Sequence, residues 1–107
     1  MKLTYAIKYV ADMDAAVAFH RDLLGLPLKF QSPEWSEFAT GETTLALHLA
    51  TVEKPAGTSE IGFGSDDLDA FLASARAAVV GEPREVHGMR IATLRDSDGA
   101  TFSVSGR

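Results

Sequence analysis

Cysteine is absent from this sequence. Disulfide bonds, thiolate catalysis and zinc sites built on cysteine are therefore excluded together. Long apolar runs are also absent, because no stretch approaches the roughly 18 residues that a membrane-spanning helix needs. The first residues carry one lysine and then alternate like a strand, unlike the continuous apolar core of a secretory signal. We therefore expect a cytoplasmic protein that has no membrane partner.

Positive charge is scarce as well. The chain has 10 Lys and Arg residues against 15 Asp and Glu residues, which gives a net charge of −5. No basic cluster is visible, so nucleic acid is not an expected partner. The GxGxxG, P-loop and HExxH patterns are missing too, which removes the common nucleotide-binding loops and the zinc-protease helix. The acidity is explained most simply by solubility, and the second interpretation is attraction of a cationic small molecule.

The chain does contain an internal repeat. Its helical segment DDLDAFLASARAAVV resembles, at an offset of 55 residues, the helical part of YAIKYVADMDAAVAFHRDLLG. At that offset Asp12 aligns with Asp67, and the apolar Met13 aligns with Leu68. A period of this kind predicts two copies of one supersecondary module. The length of 107 residues suits one domain, with modules at about residues 1–52 and 58–107.

Each module is predicted to contain a strand, a helix and three further strands. Alternating apolar residues indicate strands, and Asp residues followed by an apolar stripe indicate helix starts, here at Asp12 or Asp14 and again at Asp67. Gly25 is placed to end the first helix. The predicted strands are 2–10, 26–31, 35–40 and 43–50, then 60–65, 84–87, 89–95 and 100–105, with the second helix at 67–79. This order predicts an α+β fold with mainly antiparallel pairing.

Several segments resemble a known superfamily. The stretches YVADMDAAVAFHRDLLGLPL, TTLALHLA, IGFGSDDLDAF and LRDSDGATFSV are similar to the opening and later strands of vicinal oxygen chelate proteins. This superfamily includes glyoxalases, bleomycin-resistance proteins and extradiol dioxygenases. The resemblance implies a fold of two βαβββ modules that form incomplete barrels around a small-molecule site. It also implies a homodimer.

The resemblance further implies four metal-ligand positions, which in this chain are Tyr5, His48, Glu60 and Ser103. The internal repeat agrees, because Tyr5 and Glu60 are 55 residues apart, as are His48 and Ser103. Strand alternation agrees too. Leu45, Leu47 and Leu49 share the face that packs under a helix, so His48 is expected on the opposite face. Phe102 and Val104 are expected to leave Ser103 in the same position in the second module.

Only two of the four positions carry good metal ligands. His48 and Glu60 suit a divalent ion, whereas a neutral tyrosine phenol and a serine hydroxyl bind one poorly. We therefore expect no resident cofactor. The alternative is a divalent metal (Fe, Mn, Ni or Zn) held by His48 and Glu60. A third interpretation gives these two side chains only a hydrogen bond to one another.

Aromatic residues suggest a binding site instead. Tyr5, Ile7 and Tyr9 share one face of the first strand, and Trp35 is expected near them. Trp35 has an equal alternative role at a subunit contact. Glu60 would suit a cationic group held against such aromatic walls. The residues expected to line the site are Tyr5, Ile7, Tyr9, Trp35, His48, Glu60 and Ser103.

These observations predict a small-molecule-binding protein. The first alternative is a metal-dependent lyase, isomerase or dioxygenase acting on an oxygen-chelating substrate, in which Glu60 serves as general base. The second alternative is a domain that binds other proteins without catalysis.

Two further residues are singled out. His20 is expected to pack against the first helix, and Lys8 is expected to lie at a sheet edge, extend towards water or pair with a carboxylate.

Overall fold

The computed structural model describes residues 1–107. It contains eight strands and two α-helices, and each helix continues into a short turn of another helical type. Neither helix is long and apolar enough to cross a membrane. The elements in chain order are β1 (Lys2–Val10), α1 (Met13–Ala18), a π-helical turn (Phe19–Leu23), β2 (Leu28–Phe30), β3 (Trp35–Phe38), β4 (Thr44–Leu49), β5 (Ser59–Gly64), α2 (Leu68–Ser74), a 3-10 turn (Arg76–Ala78), β6 (Val79–Val86), β7 (Met89–Arg95) and β8 (Thr101–Gly106).

Contacts divide the chain into two compact units. One is Tyr5–Ser59, and the other combines Met1–Thr4 with Glu60–Arg107. In the first unit the strand order is β2-β3-β4-β1, with β1 parallel to β4 and the other pairs antiparallel. In the second the order is β5-β8-β7-β6, again with the first and last strands parallel. The repeated topology confirms the two βαβββ modules and the mainly antiparallel pairing.

Each unit has its own apolar core between the helix and one face of its strands. In the first core α1 packs on Phe38 and Leu47, both completely buried, with Leu45 beside them. Leu49 is half-buried at the end of β4. In the second core Leu68 of α2 packs on Val104, with Phe102 beside it. The predicted alternation is therefore confirmed: Leu47 and Val104 face a helix.

The two helices begin in the same way. The Asp12 carboxylate accepts a hydrogen bond from the Ala15 N–H at 3.1 Å, and the Asp67 carboxylate accepts one from the Ala70 N–H at 3.0 Å. Both Asp residues have non-helical backbone dihedrals, as N-cap residues do, and those of Asp12 are extended. Asp12, and not Asp14, is therefore the cap of the first helix. The structure reproduces the repeat at the level of single hydrogen bonds.

The end of the second helix differs from the prediction. The α-helix stops at Ser74, and the strand predicted at 84–87 already begins at Val79. Val79 and Val80 are β-branched and pair with Leu94 and Thr93 of β7, which favours extended backbone over helix. The strand register then shifts between Val80 and Arg84, where Gly81 has a φ of +70°. The first helical segment ends as predicted, with Gly25 also at φ of +70°.

Lys8 and His20 contact one another. His20 is buried at 4% exposure, with its Nδ1 2.7 Å from the Ala16 carbonyl oxygen and its Nε2 3.0 Å from the Lys8 Nζ. An ammonium group can only donate, so Nε2 accepts and the ring proton lies on Nδ1. The Phe38 ring lies 5.8 Å from the imidazole, which confirms the packing role. Lys8 is exposed, as in one of the three arrangements expected for it, and its Nζ contacts an imidazole in place of the expected carboxylate.

The paired helix caps generate a stability prediction. Replacement of Asp12 or Asp67 by Ala removes one N-cap hydrogen bond and should lower the free energy of unfolding by about 0.5–2 kcal/mol in each case. Asp66→Ala is the matched control, since it removes an equal charge beside α2 without removing a cap, and it should change that free energy by less than about 0.5 kcal/mol. Urea denaturation measures all three. Equal losses in D66A and D67A would contradict the capping role.

A candidate ligand-binding face

One face of the first unit carries both of its tyrosines and its tryptophan. On the side of β1, β3 and β4 opposite α1, strand pairing places residues in rows. His48 lies between Trp35 and Tyr9, and in the next row Ala46 lies between Glu37 and Ile7. Tyr5 follows along β1 beyond Ile7. We call these side chains the aromatic face: Tyr5, Ile7, Tyr9, Trp35, Glu37, Ala46 and His48.

The rings of the aromatic face contact one another. Tyr5 and Trp35 have centroids 5.7 Å apart and planes at 68°, so they form a corner. His48 lies 5.9 Å from Trp35 with its plane almost perpendicular, and 4.9 Å from Tyr9 in a tilted arrangement. Such edge-to-face contacts suit the quadrupoles of aromatic rings. The predicted association of Tyr5, Ile7, Tyr9, Trp35 and His48 on one face is therefore observed within this unit.

Ala46 provides the space for this arrangement. It lies one row below Trp35, with no exposed surface, and packs in a small cluster with Ile7 and Tyr9. A methyl group at this position leaves room for the indole to lie along β3 towards Tyr5. The direction of the indole is fixed by a hydrogen bond from its Nε1–H to the Glu37 carboxylate at 2.7 Å.

Glu37 is the residue of this face that the sequence analysis missed. It is buried at 8% exposure, and besides the indole its neighbour is the Lys29 ammonium, 3.6 Å from the second carboxylate oxygen. The signal was present in the sequence. Trp35 and Glu37 are two residues apart in a predicted strand, so they had to share a face. The charge next to the aromatic residues is therefore Glu37, in the same strand as Trp35.

The environment of Tyr5 keeps its phenol protonated. Burial raises the pKa of Tyr5 above its ordinary value of 10.0, and the negative charge of Glu37 raises it further. Both effects disfavour the phenolate, because one removes water from the charge and the other places a like charge nearby. Tyr5 is therefore a hydrogen-bonding group and an aromatic surface in this site.

His48 has a defined orientation. Its Nδ1 lies 2.6 Å from the Leu49 carbonyl oxygen, which can only accept. The proton of the neutral ring is therefore on Nδ1, and Nε2 carries a lone pair. His48 thus offers a hydrogen-bond acceptor at the end of the row that contains Trp35 and Tyr9.

The other two predicted positions lie in the second unit. Glu60 is half-buried and accepts a hydrogen bond from the Thr101 hydroxyl at 3.0 Å. Ser103 pairs with Gly62 on one side and with Thr93 on the other, opposite the helix-facing row. The row through Ser103 therefore carries one glycine and two hydroxyl groups, and no ring. At the repeat offset, Gly62 and Gly64 occupy the positions that correspond to Ile7 and Tyr9.

Sequence comparison agrees with this duplicated architecture. The model of the Glyoxalase/Bleomycin resistance protein/Dioxygenase superfamily matches residues 2–104. The chain belongs to this superfamily. The predicted resemblance is thereby confirmed, although no curated protein gives a significant sequence match to the chain.

Solved structures of this superfamily share the fold. A methylmalonyl-CoA epimerase variant from Streptomyces coelicolor, in complex with 2-nitronate-propionyl-CoA, superposes with a TM-score of 0.82 and 23% identity, covering 99% of this chain and 94% of the other. A hypothetical protein from Bacillus halodurans gives 0.82 and 16% over 99% and 94%. A superfamily member from Vibrio splendidus gives 0.75 and 14% over 96% and 97%. At these identities the likeness concerns the fold.

The residues of this superfamily member do not fit the four-ligand metal site that the resemblance implies. No group of three or more His, Asp or Glu side chains is placed where it could hold a metal ion. The raised pKa of Tyr5 disfavours the phenolate that would be needed as a ligand. Ser103 contributes only a hydroxyl, a weak ligand. His48 and Glu60 remain the two competent donors.

A groove of about 720 Å³ lies elsewhere in the first unit, beside the start of α1. Its polar groups are already used. Asp12 caps α1, and Asp14 accepts a hydrogen bond from the Gln31 side chain at 2.9 Å. The aromatic face, with an ordered carboxylate and an available imidazole nitrogen, is therefore the better candidate site.

The position of Glu37 generates a prediction for Tyr5. In wild type the phenol should titrate above 10.0, and Glu37→Gln should lower that pKa while leaving it above 10.0, because burial is the larger cause. A raised pKa in the folded state contributes stability below pH 10, and this stability is lost as pH rises through the folded value. NMR of ¹³C-labelled tyrosine measures the titration, with Tyr9→Phe to assign the two signals.

Glu34→Gln is the matched control for this titration. It removes the same charge from the preceding loop, and Glu34 does not contribute to the raised pKa of Tyr5. Titration of Tyr5 at or below 10.0 in wild type, or the same value in wild type and E37Q, would contradict the described environment.

Proposed function

We propose that this protein binds a small organic molecule on its aromatic face without a metal site of the superfamily type. The observation that supports this proposal best is the corner formed by the rings of Tyr5 and Trp35, where the Glu37 carboxylate accepts a hydrogen bond from the indole. Ligand sites are typically mostly apolar surfaces with a few fixed polar groups, and this face has that composition.

The same corner supports a cationic ligand. Ring faces attract cations, most strongly that of tryptophan, and the attraction grows when water is excluded. Glu37 adds a negative charge in a position of low exposure. The sequence analysis assigned this role to Glu60. Glu37 is better placed for it, because it lies in the same strand as Trp35 and bonds directly to the indole.

His48 supports the recognition of a second group on the ligand. Because its proton is held on Nδ1 by the Leu49 carbonyl, Nε2 accepts a hydrogen bond from a ligand N–H or O–H. A molecule with a cationic group over the Trp35 corner and a hydrogen-bond donor near His48 could therefore interact with both Glu37 and the His48 Nε2.

The orientation of His48 also favours one other candidate function. A histidine whose Nδ1–H is held by a backbone carbonyl presents Nε2 as metal-ligating histidines do, and the carbonyl corresponds to their second-shell partner. The second candidate is therefore a metal-dependent lyase, isomerase or dioxygenase in which His48 is a ligand. Metal analysis of protein purified without chelator separates the two. A stoichiometric divalent ion that is lost in His48→Ala would favour the enzyme and overturn the metal-free proposal.

The single tryptophan gives a direct test of ligand binding. Trp35 is the only indole in the chain, so its Nε1–H NMR signal and its fluorescence report on this face alone. Benzyltrimethylammonium should shift the indole signal in a saturable way, whereas benzyl alcohol, which has no charge, should bind more weakly. Glu37→Gln should weaken binding of the cation by about tenfold or more, as expected for loss of a charged partner.

The matched control is Glu34→Gln, which makes an equal change in net charge outside β3. It should leave the affinity for benzyltrimethylammonium within about twofold of wild type. Equal affinity for the cation and for benzyl alcohol, or no saturable shift with either compound, would refute a cation-binding face.

A further inference from the structure

The two oxygens of the Glu37 carboxylate are held in different ways. Oε2 accepts the Trp35 Nε1–H at 2.7 Å, a short hydrogen bond to a half-buried ring. Oε1 lies 3.6 Å from the Lys29 Nζ, which is within ion-pair range but too long for a hydrogen bond. Oε1 therefore has a neighbouring charge but no hydrogen-bond donor from the protein.

Lys29 and Glu37 also differ in exposure. The Lys29 side chain is 58% exposed, while that of Glu37 is only 11% exposed. Lys29 lies in β2, the outermost strand of its unit, which pairs with β3 alone. An exposed lysine on an edge strand can leave its partner easily, because ion pairs of this type are weak and the long side chain regains freedom in water. Glu37 has no such freedom, since the indole holds it.

This asymmetry has a direct consequence for binding. The Lys29 ammonium lies beside Oε1, the carboxylate oxygen without a hydrogen-bond donor, so it competes with any cation that pairs with this oxygen. A neutral molecule does not compete for that position. A cationic ligand must displace Lys29, so the affinity for cations is reduced by the free energy of the Lys29–Glu37 pair, while the affinity for neutral molecules is not.

We propose that Lys29 is a displaceable counter-ion of Glu37 and determines how strongly this face discriminates cationic from neutral ligands. The inference rests on the proposed function, because it assumes that ligands enter at the Trp35 corner. Lys29 neutralises the charge of Glu37 when no ligand is bound, and its side chain moves into water when a cation binds. It is a specificity-determining residue on the edge of the site, and it contributes no ring or hydrogen bond to the ligand.

The test compares two probes in three proteins. Dissociation constants for benzyltrimethylammonium and benzyl alcohol are measured through the Trp35 signal in wild type, Lys29→Gln and Lys2→Gln. Lys2→Gln is the matched control, since it makes the same change in net charge in the other unit. K29Q should bind the cation about 1.4- to 5-fold more tightly than wild type, which corresponds to loss of a weak exposed ion pair. Binding of benzyl alcohol should not change, and K2Q should match wild type.

The outcomes separate this inference from the proposed function. If benzyltrimethylammonium binds to wild type and K29Q with equal affinity, or if K2Q gains as much affinity as K29Q, Lys29 does not compete and the inference fails alone. If K29Q binds the cation more weakly than wild type, Lys29 assists binding and the inference is overturned. If no protein binds the cation, the proposed function itself fails. Tighter cation binding confined to K29Q supports the inference.

Discussion

The register of β4 between β1 and β3 is the constraint on which the first unit depends. The same backbone hydrogen bonds place Leu47 under α1 and His48 on the opposite face. They also align Trp35 with His48 and Glu37 with Ala46. Because side chains alternate along a strand, a slip of β4 by one residue would turn Leu47 out of the core and place His48 under the helix. Core packing and the composition of the aromatic face therefore have one common cause.

Most of the fold could be predicted from the sequence because its signals are local and occur twice. The caps Asp12 and Asp67 are read from residue type and position, and the placement of Leu47 and His48 follows from alternation. The end of α2 could not be read in this way. Helical periodicity continues to Val79, but pairing with β7 decides its conformation. The partner of Lys8 was also out of reach, because His20 joins it through tertiary packing.

The candidate site was predictable only in part, for a related reason. The face shared by Tyr5, Ile7, Tyr9 and His48 follows from strand alternation and the repeat. Glu37 follows from the same rule, but it is not one of the ligand positions that the resemblance implies, where the charge of the site was predicted. The hydrogen bond that joins Glu37 to the indole depends on the direction of the Trp35 side chain, which is not visible in a residue pattern.

The two copies of the module have kept their cores and changed their opposite faces. Met13 and Leu68 are the buried first residues of α1 and α2, whereas Ile7 and Tyr9 correspond to Gly62 and Gly64. Alternation makes this possible, since odd and even positions of one strand contact different surroundings. Mutations on this face can accordingly change its chemistry without altering the residues that pack under the helix. A scaffold of this kind is free to acquire new specificities by drift at a few positions, and relatives with one shape and 14–23% identity are what such a history would leave.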